Sequence, residues 1–341
     1  MNKINLPEPP PLTDRPVVWT ALITPLFDDD EIDYLSLRKL VLQQNAAGNG
    51  ILLLGSTGEG LALTPQEQLA IVEYVCAITL QVPLMVAVGG YNLNEQLAWI
   101  AKCNQLPINA YLLTSPIYAK PGPVGQTRWF SGLLDAAQFP CMLYNVPSRT
   151  GVDIAVSTLQ QVQHHKNCWA LKEASGDLNK LLAYRQHCPD IDLYSGEDAM
   201  MPFLAAANVK GLVSVCANVW PEATKHYVQL ALAQQTEGLF ALWSPAIAAL
   251  FQVTSPIPVK VLLAELKTIS SAKLRLPLCQ AEISARHDLH DNHEKIQQWL
   301  LSQQRLLSHK ARPLSEDKSA ASQINTSTAQ TIPNTNLRAV N

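Results

Sequence analysis

Eight short apolar runs, each rich in Val, Ile and Leu and each closed by turn residues, recur along the chain and leave few folds open. They are VVWTALITP (from Val17), GILLLGSTG (Gly50), PLMVAVGG (Pro83), NAYLLTSP (Asn109), PCMLYNVP (Pro140), CWALKEASG (Cys168), IDLYSGED (Ile191) and GLVSVCAN (Gly211). Their apolarity is continuous rather than alternating, which suits strands buried on both faces. Helix-like stretches separate them. One opens with Thr64 and Pro65 and carries Glu67, an N-cap followed by proline at the first helical position. Strands and helices alternating in this way predict an α/β fold, a (β/α)8 TIM barrel over residues 17–221. An open doubly wound sheet is the structural alternative, but eight repeats ending near Asn218 fit closure better.

After Pro221 the strand pattern stops, and residues 222–307 read as a small C-terminal helical region packed outside the barrel. Residues 308–341 are polar with few apolar anchors and are expected to be disordered; the proline-rich residues 1–16 read as a flexible arm. Of 341 residues, 48% are hydrophobic and 16% charged, enough for a large core, and a net charge of -3 gives no bias toward nucleic acid. The seven cysteines are scattered, without C-x-x-C, and several sit in apolar runs as small hydrophobes, which suits a reducing cytoplasm. The N-terminus has no signal-peptide core, and no window approaches the roughly 18 apolar residues of a membrane span.

In such a barrel, reactive groups come from the C-terminal ends of several strands. Those ends hold Ser56, Thr57 and Glu59 after the second strand, and Ser115 with Tyr118 after the fourth. Tyr144 and Arg149 belong to the fifth, Lys172 and Glu173 to the sixth, Gly196 to the seventh. Lys172 ends CWALK, where apolar neighbours predict burial. Burial disfavours the charged form of an amine, and the neutral amine is a nucleophile for carbonyls. Pairing with Glu173, or capping of the barrel rim, is the plainer alternative. Lys210 lies at the other end of the barrel and Lys260 outside it, so neither competes.

The turn GSTGEG, Gly55 to Gly60, could cradle a small anion with its N–H groups and hydroxyls. It has neither G-x-G-x-x-G nor G-K-[ST], so no dinucleotide or nucleoside triphosphate is indicated. Tyr144 reads as a proton carrier or as a core tyrosine with a satisfied hydroxyl. Arg149, on a proline-stiffened loop, suits a bidentate carboxylate clamp. RHDLHDNHEK sets His287, His290 and His293 at three-residue steps near Asp288 and Asp291. A transition metal is one reading; a solvated helix face on a polar segment is the favoured one, so no metal is expected.

Taken in order, GSTGE, YNVPSRTG, LKEASGD, YSGED, GLVSVCAN and SPIPVK resemble the dihydrodipicolinate synthase family of pyruvate-dependent Schiff-base lyases, to which N-acetylneuraminate lyase is related. The resemblance covers about residues 18 to 300 and excludes both tails. It implies that Lys172 forms a Schiff base with pyruvate. Tyr144 would carry protons in a relay with Ser56 and with Tyr118 from a neighbouring subunit. Ser56 and Thr57 would hold the pyruvate carboxylate, with Gly196 and Val213 shaping that pocket. Arg149 would bind the carboxylate of L-aspartate 4-semialdehyde, giving 4-hydroxy-tetrahydrodipicolinate for lysine and diaminopimelate synthesis. The resemblance implies no metal or organic cofactor, and a homodimer or homotetramer.

Departures from the family pattern sharpen this. Ser56 stands where the synthases usually carry a second threonine and matches the neuraminate lyase spelling, whereas PSRTG favours the synthases. Ile117, Pro65 and Gln68 replace a tyrosine and two histidines found in lysine-sensitive relatives, so inhibition by L-lysine is expected to be weak or absent. A related aldolase acting on a sugar-acid aldehyde is one alternative. A catalytically silent paralogue with a binding role is the other, and the presence of Lys172, Tyr144, Thr57 and Arg149 together argues against it.

Overall fold

The structure is a computed structural model that describes residues 6–12 and 15–310; the polar tail read from the sequence therefore lies almost wholly outside the described residues. Eight strands are each followed by helix: β1 (Val18–Ala21), α1 (Tyr34–Ala47), β2 (Gly50–Leu53), α2 (Pro65–Cys76), β3 (Leu84–Val88), α3 (Leu93–Cys103), β4 (Ala110–Thr114) and α4 (Pro123–Ala136). The second half continues with β5 (Cys141–Asn145), α5 (Pro147–Thr150), α6 (Val156–Val162), β6 (Cys168–Glu173), α7 (Leu178–His187), β7 (Asp192–Ser195), α8 (Met201–Ala206) and β8 (Gly211–Ser214). Four helices complete it: α9 (Pro221–Leu232), α10 (Leu239–Leu250), α11 (Ile257–Glu265) and α12 (Arg286–Lys310). The strands pair in parallel in chain order, and β8 returns to β1 through Trp19 opposite Val213. The sheet is a closed barrel, a (β/α)8 fold, and the open-sheet alternative is set aside. Residues Met1–Leu300 form one compact unit; Leu301–Asn341 form a second, described only as the end of α12.

Continuous apolarity in the strands reflects two cores. Leu53, Val86, Leu113, Leu143, Leu171 and Leu193 face outward into the layer between sheet and helices. Leu52, Met85, Leu112, Met142, Ala170 and Tyr194 face inward and fill the barrel. Neighbours in sequence alternate between these faces, as the two-residue period of a strand requires. The described part of the N-terminal arm lies at the barrel's N-terminal end. There Leu12 packs on the interior cluster, and Arg15 pairs with Asp192 at 2.5 Å while lying over the Trp169 ring.

Helix starts follow sequence signals. Thr64 caps α2 in a capping box with Glu67, and Asn92 and Asp177 cap α3 and α7 through their side chains. Among the described residues, no helix is long and apolar enough to cross a membrane.

The first part of α12 is less solvated than its composition suggests, with Leu289 and Ile296 buried. Its histidines have protein partners. His290 Nε2 meets Glu265 at 2.8 Å, His287 meets Asp288 at 3.1 Å, and Trp220 Nε1 donates to His293 Nδ1 at 3.0 Å. Burial, reinforced by the charge of His290, holds His293 below its ordinary value of 6.5. The unfolded chain therefore takes up this proton more readily than the folded one. The stabilisation is complete above about pH 6.5 and is lost as pH falls through the lowered value. We expect the Tm of the wild type to drop more between about pH 7 and pH 5 than that of His293→Gln, whose amide oxygen accepts the same indole N–H. Equal slopes would contradict this.

Candidate active site

Strand β6 carries the central residue. Ala170 lines the barrel interior and Leu171 the outer layer, so Lys172 points toward the barrel axis and Glu173 toward the helices. Lys172 is 6% exposed, as the apolar run predicted. Its Nζ lies 4.1 Å from the centroid of the Tyr144 ring, and Tyr144 is its register partner on β5. Gly196, just past β7, closes the other side. A Cβ there would come within 2.8 Å of Lys172 Cε and 2.6 Å of the Ala174 side chain. Any side chain at 196 would collide with the lysine stem. Val213, fully buried on β8, joins the same interior cluster.

Glu173 does not act as the partner of Lys172. One of its carboxylate oxygens accepts from Asn145 Nδ2 and the other from the Ser175 N–H, both at 2.7 Å. Asn145 in turn accepts from the Ile154 N–H at 2.8 Å, tying the ends of β5 and β6 to the loop before α6. Burial pushes the Glu173 carboxyl upward. Glu197 also stands near Lys172. Burial and then the charge of Asp198 push its carboxyl up to about 7, with Lys172 acting in the opposite direction. Asn145 and Glu197 escaped the sequence reading. The only sequence signals were their places in YNVP and SGED, at the end of β5 and just past β7.

The GSTGEG turn follows β2, and Ser56 is exposed while Thr57 is buried. Thr24 Oγ1 donates to the carbonyl of Gly58 at 2.7 Å, and the Glu59 N–H to that of Ser56. Arg149 lies on the single turn α5, ended by Gly151 at φ +75. Its Nη2 donates to the carbonyl of Ser255 at 3.3 Å. Tyr118 follows β4 at φ +68 and is 87% exposed. Lys172, Tyr144, Gly196 and Val213 thus gather inside the barrel mouth. Ser56, Thr57 and Tyr118, on loops, and Arg149, on α5, stand at the same end.

The sequence-pattern model of the Dihydrodipicolinate synthetase family matches residues 16–296, more than half of the chain. The chain belongs to the dihydrodipicolinate synthetase family. A relative in Francisella philomiragia, named 4-hydroxy-tetrahydrodipicolinate synthase, is 48% identical over 269 residues, covering 78% of this chain and 90% of the relative. Among solved structures, the 4-hydroxy-tetrahydrodipicolinate synthase of Methylacidiphilum fumariolicum SolV superposes with a TM-score of 0.80 at 29% identity, covering 85% of this chain and 99% of that one. A dihydrodipicolinate synthase from Acinetobacter baumannii, described as chloride-inhibited and complexed with pyruvate, gives 0.78 at 28% identity, over 82% and 98%. The family match leaves out residues 1–15 and the C-terminal tail. Lys172, Tyr144, Arg149 and the GSTGEG turn all fall inside it.

Proposed function

We propose that this chain, a lyase of the class I aldolase type, condenses pyruvate with L-aspartate 4-semialdehyde through a Schiff base on Lys172. The observation that carries the reading is a buried lysine on the barrel axis, with a phenol ring against its amine and a glycine sparing room beside its stem. Attack of the Lys172 amine on the pyruvate ketone and loss of water give an iminium. Loss of a methyl proton turns this into an enamine, the iminium nitrogen taking up the electron pair. The enamine carbon then attacks the aldehyde, whose oxygen gains a proton. The amine of the second substrate displaces Lys172 and closes the ring of 4-hydroxy-tetrahydrodipicolinate, so one water leaves overall. Tyr144 carries the protons. Ser56 relays them, and Ser56 and Thr57 with the N–H groups of their turn hold the pyruvate carboxylate.

Arg149 is the clamp for the aldehyde's carboxylate. A one-turn helix begun by Pro147 and stopped by Gly151 fixes its backbone, and the Ser255 carbonyl holds one arm of its guanidinium. Arg149→Ala is expected to raise KM for L-aspartate 4-semialdehyde by about thirtyfold or more, with KM for pyruvate nearly unchanged. Equal changes in both would contradict the assignment. Exposed Tyr118 suits a proton relay completed by a second copy of the chain, so the working enzyme would be at least a dimer.

Regulation by L-lysine should be weak. Gln68 spends its amide on the carbonyls of Gly60 and Leu63, at 2.8 and 3.1 Å, and Pro65 offers no donor. The reading is tested by assaying an aldehyde panel with pyruvate, with and without L-lysine. L-Aspartate 4-semialdehyde should be the best acceptor, and rates should hold at physiological lysine. A better sugar-acid acceptor or potent inhibition would contradict these respective parts.

A further inference from the structure

Lys260, on α11 outside the barrel, is completely buried, and the side chain of its partner is only 2% exposed. Its Nζ lies 2.5 Å from Oε1 of Glu59, in the GSTGEG turn, and donates to the Lys273 carbonyl at 2.8 Å. The second oxygen of Glu59 accepts from the Arg275 N–H at 2.8 Å. The Arg275 guanidinium then reaches the Asp30 carbonyl at 2.6 Å and Glu67 on α2 at 2.5 Å. A chain segment some two hundred residues downstream thus grips the turn after β2 from behind.

That turn needs a grip. Leu54 at φ +61 and Glu59 at φ +54 bracket Gly55–Gly58, and both hold a backbone conformation that residues with side chains seldom adopt. Gly60 lies so close to Leu54 that a Cβ there would meet the Leu54 carbonyl oxygen at 2.0 Å. Conformations of this kind persist only where surrounding structure over-determines them. The side chain of Glu59 is one anchor at the strained end, and the hydroxyls assigned to pyruvate lie two and three residues before it.

We propose that Glu59 and Lys260 are positioning residues for the pyruvate carboxylate: the buried ion pair holds the strained turn in the shape in which Ser56, Thr57 and their N–H groups converge on one anion. The inference rests on the functional reading above. It predicts that loss of the pair weakens pyruvate and spares the aldehyde, because Arg149 is carried by α5 and meets this segment at the Ser255 backbone carbonyl ahead of α11, not at Glu59, Lys260 or Arg275.

The test compares wild type with Glu59→Gln, Lys260→Met and the double variant Glu59→Gln/Lys260→Met. Removing one partner strands a buried charge and should lower Tm, whereas neutralising both recovers much of that loss. In the double variant, KM for pyruvate should stay raised by about tenfold to a hundredfold, with KM for L-aspartate 4-semialdehyde within about twofold of wild type. Should the double variant fail to fold, the isosteric Glu59→Gln carries the same expectation. A pyruvate KM that recovers together with Tm would reduce the pair to packing. Both KM values rising in step would show general loosening, and either result overturns the proposal. Wild type is also treated with pyruvate and borohydride. If no adduct forms there, the functional reading itself falls, and the clamp with it.

Discussion

Lys172→Ala is expected to lose at least about a thousandfold in turnover with pyruvate and L-aspartate 4-semialdehyde, because no neighbouring group can replace a covalent nucleophile. Lys172→Arg should be equally inactive: a guanidinium keeps its charge in proteins and does not form imines. The pair of variants matters because they disturb packing differently. Alanine empties the space beside Gly196 and the Tyr144 ring, while arginine overfills it. Steady-state rates set beside Tm separate chemistry from folding. A folded variant with activity within about tenfold of wild type would remove Lys172 from the mechanism.

Tyr144→Phe is expected to lower kcat by about a hundredfold to ten thousandfold, the range of a positioned proton carrier. This variant keeps the ring that lies 4.1 Å from the lysine amine and removes only the hydroxyl. Tyr144 belongs to the barrel-interior cluster, so the ring contributes packing that phenylalanine preserves, and Tm should barely move. A slowed rate of imine formation, measured by stopping the reaction with borohydride at short times, would place the loss in proton transfer. A fall of less than about threefold would make Tyr144 a packing residue and shift proton handling elsewhere.

Much of the fold could be read from the residues because burial on both faces of a strand leaves a continuous apolar run. GILLL and CWALK are such runs, and Lys172 stands out because it ends one. Gly196 was readable as a pocket residue only through resemblance; the reason for it, the lysine stem within 2.8 Å of a would-be Cβ, exists only in three dimensions. Lys260 could be placed outside the barrel but not recognised as a partner of Glu59, since 201 residues separate them and no local periodicity records that contact. Of the α12 histidines, His287 is exposed as read, and His293 departs for a related reason. Their spacing suggested one solvated face, while His293 accepts from Trp220, 73 residues earlier. Beyond its place in SGED, Glu197 could not be singled out from the sequence, because its raised carboxyl depends on burial and on the neighbouring charge of Asp198.

The most direct measurement is mass spectrometry of the protein after pyruvate and borohydride, followed by peptide mapping. One carboxyethyl group per chain is expected, on the peptide containing Lys172, and none on Lys172→Ala treated in parallel. Folded wild-type protein that stays unmodified, or an adduct mapped to Lys260 or Lys210, would contradict the account.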